Sequence, residues 1–448
     1  MKTLIDFPYT HVLVLGLAKS GTAAAQLLLS SQIKVRVNDF NTDESSALIT
    51  DLKNQGAEVI IGSHPLSVLE GINLVVKNPG ITYDNIIVQE AMRRDIPVVT
   101  EIELAGKLVD GPLIGITGSN GKTTTTMLVG DMLAKSNGGV QVAGNIGTVA
   151  TEVAREIRAE EKMVVELSSF QLMGIDTFHP HVAVLLNVYE AHLDYHKTLD
   201  QYQQAKFKVF MNQTAEDYLI YNADNEVVVE GVIHAHSKLI PFSVTKQLTN
   251  GAWVDESSLY FKDEKVIDKQ AIVLVGNHNI ENILAAICVA KLYGVTNEAI
   301  YDVLSSFSGV KHRLQYVGEI HERLFYNDSK ATNLLATQRA LASFKQPIIL
   351  LAGGLDRGNS FSELIPFLDH VKGMVVFGET APKLTQLASE QNIQVLAVKD
   401  IKEAVAEAYS LSEPQDVILL SPACASWDQY RTFEERGDMF IHSMHTLL

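Results

Sequence analysis

The sequence predicts an α/β fold organised in three domains. Short apolar runs, typical of buried parallel strands, alternate with helical segments along most of the chain. Glycine-rich turns follow several of these runs, and polar residues follow successive runs in the last third. A length of 448 residues allows two to four domains of roughly 100–200 residues each. We place the boundaries at 1–99, 100–309 and 310–448.

Composition excludes several classes of protein. Hydrophobic residues make up 46% of the chain, but no run approaches the ~20 apolar residues of a membrane helix. The net charge of −17 argues against non-specific nucleic-acid binding. Residues 1–6 lead straight into a strand without a signal-peptide pattern, and Cys288 and Cys424 stand in apolar contexts typical of reduced thiols. We therefore expect a cytoplasmic protein without membrane or nucleic-acid partners.

The first domain opens like a Rossmann fold. Strand 11–15 precedes a G-x-x-x-x-G turn at 16–21 and a helix over 22–29, and strand 34–37 then ends at Asp39. An acidic residue about 20 positions after the turn can grip a ribose or base. Further strands over 59–61 and 74–76 lead to the tight turn Asn78-Pro79-Gly80. Each turn could also be a plain connection.

The central domain carries a phosphate-loop pattern. Strand 113–116 is followed by T-G-S-N-G-K-T at 117–123 and a helix over 124–134. Such glycines let backbone N–H groups approach phosphate, lysine adds a charge, and the threonine hydroxyl can hold Mg²⁺. A strict P-loop would have glycine where Ile116 stands, and a turn without ligand is the alternative. The loop predicts ATP use but does not choose among kinases, switches and ligases.

Other polar residues of this domain follow predicted strands. Glu166 ends strand 162–167, where a carboxylate faces either a metal or solvent. His192 and Asp194 lie in a predicted loop after strand 181–187. Lys206, on a helix over 200–210, is most simply a solvated lysine. Residues 218–269 predict only short strands and turns.

A long helix opens near Gly276 and runs toward Leu292, and Asn279 could either cap it or contact nucleotide. An interdomain joint is expected near 307–310. The third domain has predicted strands at 324–326, 347–352, 374–377 and 416–420. Polar side chains after these strands should meet at one sheet edge, where ligands bind.

Taken together, the motifs resemble those of the Mur ligase family over essentially the whole chain. T-G-S-N-G-K-T at 117–123 and His192-Leu193-Asp194 are shared across that family. D-S-K-A-T-N at 328–333 and S-P-A-C-A-S-W-D at 421–428, with Phe433 beyond, are similar to its D-glutamate-adding branch. The D-N-P-R text associated with diaminopimelate or lysine addition is absent.

The resemblance implies ATP, two Mg²⁺ ions, UDP-N-acetylmuramoyl-L-alanine and D-glutamate as ligands of a monomeric enzyme. Lys122, His192 and Lys206 would be catalytic, with Lys206 carbamylated. Mg²⁺ ligands would be Thr123, Glu166, His192 and Lys206. ATP would be bound by Gly118, Ser119, Asn120, Gly121, Lys122, Thr123, Thr124, Asn279, Asn282, Arg313 and Asp328. The sugar nucleotide would meet Ser20, Asp39, Asn78, Gly80 and Asn145. D-Glutamate would meet Lys330, Thr332, Arg357, Ser426 and Phe433.

Four positions depart from the family pattern. Ala191 stands where relatives have aspartate before the histidine, Phe40 and Asn41 replace polar and basic residues, and Arg357 replaces the lysine of some relatives. The implied reaction runs through an acyl phosphate that D-glutamate captures, with domain closure excluding water. Alternatives are a folylpolyglutamate synthase, an ATP-dependent switch module and an NAD-dependent oxidoreductase.

Overall fold

The structure is a computed structural model that describes residues 1–447, except for the side chain of Asn277. The chain divides into two compact units. Unit 1 contains Met1–Lys269 and Ile280–Val303, and unit 2 contains Gln270–Asn279 and the chain from Leu304 onward. Unit 1 holds two β-sheets and unit 2 holds a third. The predicted α/β class is confirmed, whereas the three domain boundaries stay predictions.

The first sheet of unit 1 has five parallel strands in the order β3-β2-β1-β4-β5. The strand order reverses between β1 and β4, so the loops after these two strands face each other across the point where open α/β sheets bind ligands. The strands are β1 His11–Leu15, β2 Lys34–Asp39, β3 Glu58–Ile61, β4 Leu74–Lys77 and β5 Val98–Val99. The helices are α1 Lys19–Ser30, α2 Ala47–Asn54, α3 Ile86–Arg93 and α4 Glu101–Gly106, with a 3-10 turn at Leu66–Leu69.

Strand β1 shows why this sequence forms a central parallel strand. Val12 and Val14 belong to the core on one side of the sheet, while Leu13 and Leu15 belong to the core on the other. Because both faces are buried, the strand is an unbroken apolar run rather than an alternating one. Helix α1 begins at Lys19, three residues before the predicted start.

The second sheet has nine strands in the order β14-β13-β12-β11-β10-β9-β6-β8-β7. The pairings of β12 with β13 and of β13 with β14 are antiparallel, and the others are parallel. The strands are β6 Leu113–Thr117, β7 Val140–Gly144, β8 Lys162–Glu166, β9 Val182–Leu185, β10 Tyr218–Asn222, β11 Lys238–Ser243, β12 Ala252–Val254, β13 Ser258–Phe261 and β14 Glu264–Asp268. The helices are α5 Lys122–Ala134, α6 Ala150–Glu156, α7 Ser169–Met173, α8 Leu193–His196, α9 Leu199–Met211, α10 Glu226–Val232, α11 Asn277–Leu292 and α12 Asn297–Leu304, with a 3-10 turn at Lys269–Ala271.

Three local predictions in this region were wrong. Residues 218–269 contain helix α10 as well as short strands. Asp194 lies in the short helix α8, for which His192 is the N-cap residue, and not in a loop. Asn279 does not cap α11, which already begins at Asn277; its side chain donates to the carbonyl of Val275 at 2.6 Å. Short helices and caps depend on single side-chain contacts, which periodicity does not reveal.

The sheet of unit 2 has six strands in the order β15-β16-β20-β17-β18-β19, and only the β15–β16 pairing is antiparallel. The strands are β15 Gln315–Ile320, β16 Arg323–Asn327, β17 Ile348–Gly353, β18 Val371–Phe377, β19 Gln394–Ala397 and β20 Val417–Leu420. The helices are α13 Leu334–Leu341, α14 Ala381–Glu390, α15 Ile401–Leu411 and α16 Phe433–His445, with a 3-10 helix at Ser362–Phe367.

Two further expectations concern the cysteines and the membrane. Cys288 and Cys424 are buried free thiols, as predicted. Within residues 1–447, no helix is long and apolar enough to cross a bilayer.

Candidate active site

The phosphate loop of unit 1 connects β6 to α5 in the middle of the nine-stranded sheet. Gly121 adopts a left-handed backbone (φ +84°) immediately before α5, and a Cβ on it would lie 2.1 Å from the Asn282 amide oxygen. Only glycine fits this position. Asn120 donates its N–H to the Asn187 side chain at 2.9 Å, which ties the loop to the segment after β9. The sequence therefore builds a closed turn at a helix N-terminus, where anions bind.

Two lysines point at the same loop carbonyl. Lys122 Nζ lies 2.8 Å from Gly118 O and 3.1 Å from Ser119 O, and Lys206 Nζ lies 2.8 Å from Gly118 O. Lys206 is 1% exposed and packs over the Tyr202 ring. Burial, and then the charge of Lys122, hold the pKa of Lys206 well below its usual value. The expectation of a solvated Lys206 is wrong, because this residue lies on the buried face of α9.

His192 lies beside this pair. Its backbone is left-handed (φ 56°), and its ring meets the Phe170 ring edge-on at 5.0 Å. Burial, followed by the charges of Lys122 and Lys206, lowers the pKa of the His192 imidazole. A neutral imidazole is the form that can ligate a metal.

Glu166, at the end of β8, is buried, and only one of its two carboxylate oxygens accepts a hydrogen bond from the described residues. Its Oε1 accepts a hydrogen bond from the Asn145 amide at 2.8 Å, whereas its Oε2 has no hydrogen-bond partner among the described residues. A buried carboxylate oxygen without a donor suits a cation. Thr123, on α5, is also buried. Because β8 pairs with β6, Glu166 and the phosphate loop both lie at the carboxyl edge of this sheet.

A metal site here would have to include oxygen ligands other than carboxylates. In the part of the chain that the structure describes, no three His, Cys, Asp or Glu side chains are grouped closely enough to hold a metal ion. The predicted Mg²⁺ ligands contain only one Glu and one His, together with Thr123 and Lys206. The prediction consequently depends on a hydroxyl and on a modified lysine.

The residues predicted to bind the sugar nucleotide lie on the first sheet. Asn78 donates to Ser20 Oγ at 3.0 Å, and its Oδ1 accepts the N–H of Gly80 at 3.1 Å, so these three residues are brought together. Asp39 accepts backbone N–H groups from Leu17, Asn41 and Thr42 at 2.7–2.8 Å. Partial burial raises its pKa, but these backbone hydrogen bonds outweigh that effect and lower it overall. Asn145 lies apart from this group, next to Glu166.

Unit 2 groups several of the residues predicted for D-glutamate. Lys330 Nζ lies 5.5 Å from the centre of the Phe433 ring. Ser426 is buried, and its Oγ has no hydrogen-bond partner among the described residues. Arg357 lies over the Trp427 ring at 5.0 Å. Thr332 is half-buried in the turn that follows β16, where its N–H donates to Lys330 O at 2.8 Å.

Asp328 and Arg313, predicted for ATP, also belong to unit 2. Asp328 accepts the N–H of Leu314 at 3.0 Å and the hydroxyl of Ser421 at 2.9 Å. Burial raises its pKa to about 7. The Nε atom of Arg313 is buried without a hydrogen-bond partner among residues 1–447.

Sequence reasoning missed Arg436, which is fully buried in α16. Its guanidinium donates to Ser329 O at 2.9 Å, Cys424 O at 3.0 Å and Gly353 O at 3.4 Å. These carbonyls belong to the three loops that carry Lys330, Ser426 and Arg357. No helix was predicted for this segment; the signal would have been an arginine on the apolar face of α16, and such arginines are common on surfaces too.

Comparisons with known proteins cover each part of the chain. Residues 10–100 match the family model described as Mur ligase MurD-like, N-terminal domain. Residues 116–290 match Mur ligase middle domain, and residues 312–424 match Mur ligase, glutamate ligase domain.

Curated relatives are similar over their full length. The chain is 59% identical to UDP-N-acetylmuramoylalanine–D-glutamate ligase of Oceanobacillus iheyensis, with 100% of both chains covered. It is 54% identical to the protein of the same name from Bacillus pumilus, with 98% of both chains covered. Among solved structures, UDP-N-acetylmuramate–alanine ligase of Thermotoga maritima matches at a TM-score of 0.59 and 17% identity, covering 98% of this chain and 100% of that one. At that identity the match supports the fold alone.

Proposed function

The chain belongs to the Mur ligase family, in the branch that joins D-glutamate to UDP-N-acetylmuramoyl-L-alanine with ATP, and from this premise we propose which of its residues carry the reaction. The enzyme makes an amide bond during peptidoglycan precursor synthesis. The observation that supports the residue assignment best is the strand–loop–helix around Lys122, with the unsatisfied Glu166 oxygen at the same sheet edge.

ATP binds at the phosphate loop. The N–H groups at the start of α5 and the positive end of that helix face the β- and γ-phosphates. Lys122, which donates to loop carbonyls 2.8 and 3.1 Å away, transfers these hydrogen bonds to phosphate oxygens. The Asn282 amide, packed on Gly121, and Asn279 contact the adenine side of the nucleotide. Arg313 and Asp328 contact the phosphate and the ribose.

Two Mg²⁺ ions complete this arrangement. Thr123 and Glu166 hold one ion, and His192 and a carbamylated Lys206 hold the other. Two observations support this assignment. One Glu166 carboxylate oxygen is buried without a hydrogen-bond partner among the described residues, which suits a cation, and burial shifts Lys206 toward the uncharged amine, the form that reacts with CO₂. When bound, the ions neutralise charge on the phosphates.

The two acceptor substrates use separate residues. Ser20, Asp39, Asn78 and Gly80 contact the UDP moiety, and Asn145 contacts the muramoyl end. In unit 2, Lys330 and Arg357 supply positive charge for the carboxylates of D-glutamate, and the hydroxyls of Thr332 and Ser426 donate hydrogen bonds. Phe433 flanks the ligand.

The reaction has two bond-forming steps. The carboxylate oxygen of UDP-N-acetylmuramoyl-L-alanine attacks the γ-phosphorus in line, and the bond to ADP breaks. Lys122 stabilises the charge that moves onto the phosphoryl oxygens. The amine of D-glutamate then attacks the acyl phosphate through a tetrahedral intermediate, and inorganic phosphate leaves as the amide forms. Water must be excluded between the steps, since it would hydrolyse the acyl phosphate.

A coupled phosphate-release assay tests these assignments. We expect release only when ATP, UDP-N-acetylmuramoyl-L-alanine and D-glutamate are all present, and not when L-glutamate replaces the D-isomer. Lys122→Ala should lower kcat by about a hundredfold or more, because a transition-state charge contact is lost. Lys135→Ala, at the exposed far end of the same helix, is the control.

Three results would contradict the proposal. Phosphate release without either acceptor substrate would indicate a nucleotide switch, and turnover restricted to folate and L-glutamate would indicate a folylpolyglutamate synthase. Full turnover by Lys122→Ala would remove the assigned role of that lysine.

The cellular setting is part of the proposal. We place the enzyme in the cytoplasm, where free thiols such as Cys288 and Cys424 are kept reduced, and we expect it to act as a monomer.

A further inference from the structure

Lys77, the last residue of β4, is a buried lysine. It is 1% exposed, and no carboxylate among the described residues lies within ion-pair distance of its ammonium group. Its Nζ donates to Ile81 O at 2.9 Å and to the Tyr195 hydroxyl at 3.0 Å, beside the Tyr83 ring at 4.7 Å. Sequence analysis did not single out this residue.

Tyr195 supplies the other half of this contact. Its hydroxyl lies 3.0 Å from Pro79 O and 2.9 Å from Ile81 O, so it bonds directly to the turn that follows β4. Tyr195 belongs to α8, one turn after His192, and both of their rings pack on the Phe170 ring, at 4.5 and 5.0 Å. The contacts of Lys77 therefore run from the turn at 78–81 to the segment of His192, entirely inside unit 1.

The cost of burying Lys77 indicates a specific role. A cation removed from water without a counter-charge costs several kcal/mol unless its hydrogen bonds are satisfied. Burial lowers the pKa of this ammonium to about 7, which expresses that cost. A methionine would fill the same space without it, so packing alone does not explain a lysine here.

We propose that Lys77 is a positioning residue: together with Tyr195 it fixes the turn at 78–81, which carries the predicted sugar-nucleotide contacts, relative to His192. This inference rests on the proposed function. Asn78 and Gly80 hold the sugar nucleotide, whose carboxylate must reach the γ-phosphate in line. A displacement of about 1 Å at the reacting atoms can cost a hundredfold in rate.

The test is a double-mutant cycle of Lys77→Met and Tyr195→Phe, with kinetics for each substrate. We expect Lys77→Met to lower kcat/KM for the sugar nucleotide about tenfold and to lower kcat as well, because alignment is lost. The KM for ATP should not change. Tyr195→Phe should lower kcat/KM for the sugar nucleotide by a smaller factor. The double variant should have the same kcat/KM as Lys77→Met, because both substitutions remove one shared contact.

Two control variants separate positioning from stability. Lys162 is another buried lysine of unit 1, donating to Asn137 O at 2.6 Å beside the Tyr293 ring, and Lys162→Met should lower stability without changing kcat/KM. Asp84→Asn breaks the exposed ion pair with Lys197, 2.6 Å long, which joins the same two segments as Lys77 and Tyr195. Since exposed ion pairs contribute little, this variant should keep kcat/KM within about threefold.

The outcomes are distinct. If Lys77→Met melts at a lower temperature but keeps wild-type kcat/KM, Lys77 is only structural and the inference is overturned. If Lys77→Met does not fold, Tyr195→Phe decides, because it removes a hydroxyl and keeps the ring packing; unchanged kcat/KM there also overturns the inference. A wild-type enzyme that does not turn over the three substrates would instead overturn the proposed function.

Discussion

Burial and the charges of neighbouring lysines lower the pKa values of Lys206 and His192 beside the phosphate loop. Lys122 lowers the pKa of Lys206, and both lower the pKa of His192, in addition to the effect of burial. These effects favour the uncharged forms of the Lys206 amine and of the His192 imidazole, next to a loop suited to phosphate. Bound phosphate would compensate the positive charge of these side chains. Binding of a nucleotide–metal complex should therefore be favoured at this place.

Glu166 gives a direct test of the metal assignment. Glu166→Gln keeps an oxygen that can accept from Asn145 but removes the charge of the unsatisfied oxygen, so we expect the Mg²⁺ concentration for half-maximal phosphate release to rise at least about tenfold. Glu161→Gln is the control, because Glu161 precedes the same strand and is paired with Arg158. An unchanged Mg²⁺ requirement in folded Glu166→Gln would refute the assignment.

Glu101 and Glu103 are neighbours in α4 with opposite pKa shifts. Burial raises the pKa of Glu101 to about 7, and the hydrogen bond that its carboxylate accepts from the N–H of Thr151 offsets only part of this rise. Burial also acts on Glu103, but N–H groups of Asp176, Thr177 and Phe178 and the Thr177 hydroxyl outweigh it and lower its pKa. Between pH 4.5 and 7 the native state binds more protons at Glu101 than the unfolded state, so stability falls as pH rises.

Glu101→Gln should remove this slope. Between pH 5 and pH 8, we expect the free energy of unfolding of the variant to increase by up to about 3 kcal/mol relative to that of the wild type. Glu103→Gln should instead lose stability relative to wild type as pH rises. The lowered pKa of Glu103 stabilises the wild-type protein above the unfolded value of 4.5, and this stabilisation is lost as pH falls. Urea unfolding at several pH values measures both. The prediction would be contradicted if the free energy of unfolding of the two variants changed with pH in the same way.

At the residue scale, the sequence predicts donors and acceptors but not their environment. The motif at 117–123 placed Lys122 and Thr123 correctly at a helix start. Lys206 looked like a surface lysine, since only the packing of α9 on Tyr202 buries it. Lys77 and Arg436 were missed for the same reason: long-range burial decides their role, and a single charged residue after an apolar run does not show it.

At the scale of elements, the long apolar strands were predictable and the short elements were not. β1, β6 and β17 are buried on both faces, so composition alone identifies them. Helices α8 and α10 have four and seven residues, too few for a periodic pattern. The antiparallel strand β15 was also missed, because its residues are only half-buried.

Helix α16 anchors three loops of unit 2 through one side chain, and this can be tested. Arg436→Lys keeps the charge but cannot reach three carbonyls in a fixed fork, so we expect the KM for D-glutamate to rise roughly tenfold while the KM for ATP is unchanged. Steady-state titration of D-glutamate measures it, with the exposed Arg431→Lys as control. An unchanged KM in a folded Arg436→Lys would show that the loops hold their positions without this fork.

At the scale of the whole molecule, the sequence predicted the α/β class, because alternation of apolar runs and helices persists along the chain. It did not predict that residues 270–279 group with the chain after 304, since this depends on contacts distant in sequence. The ligand assignments follow the same division: those for the sugar nucleotide lie in unit 1 and those for D-glutamate in unit 2.

Hydrogen–deuterium exchange can test that division. We expect UDP-N-acetylmuramoyl-L-alanine alone to protect peptides containing 16–21 and 78–81, because Ser20, Asn78 and Gly80 already form one bonded group. D-Glutamate, added with ATP, should protect peptides containing 328–333, 353–358 and 421–427, the loops joined by Arg436. L-Glutamate is the control and should protect neither set. Protection of the first set by D-glutamate without sugar nucleotide would mean that the amino acid binds in unit 1, and the assignment of Lys330, Arg357 and Ser426 would then be wrong.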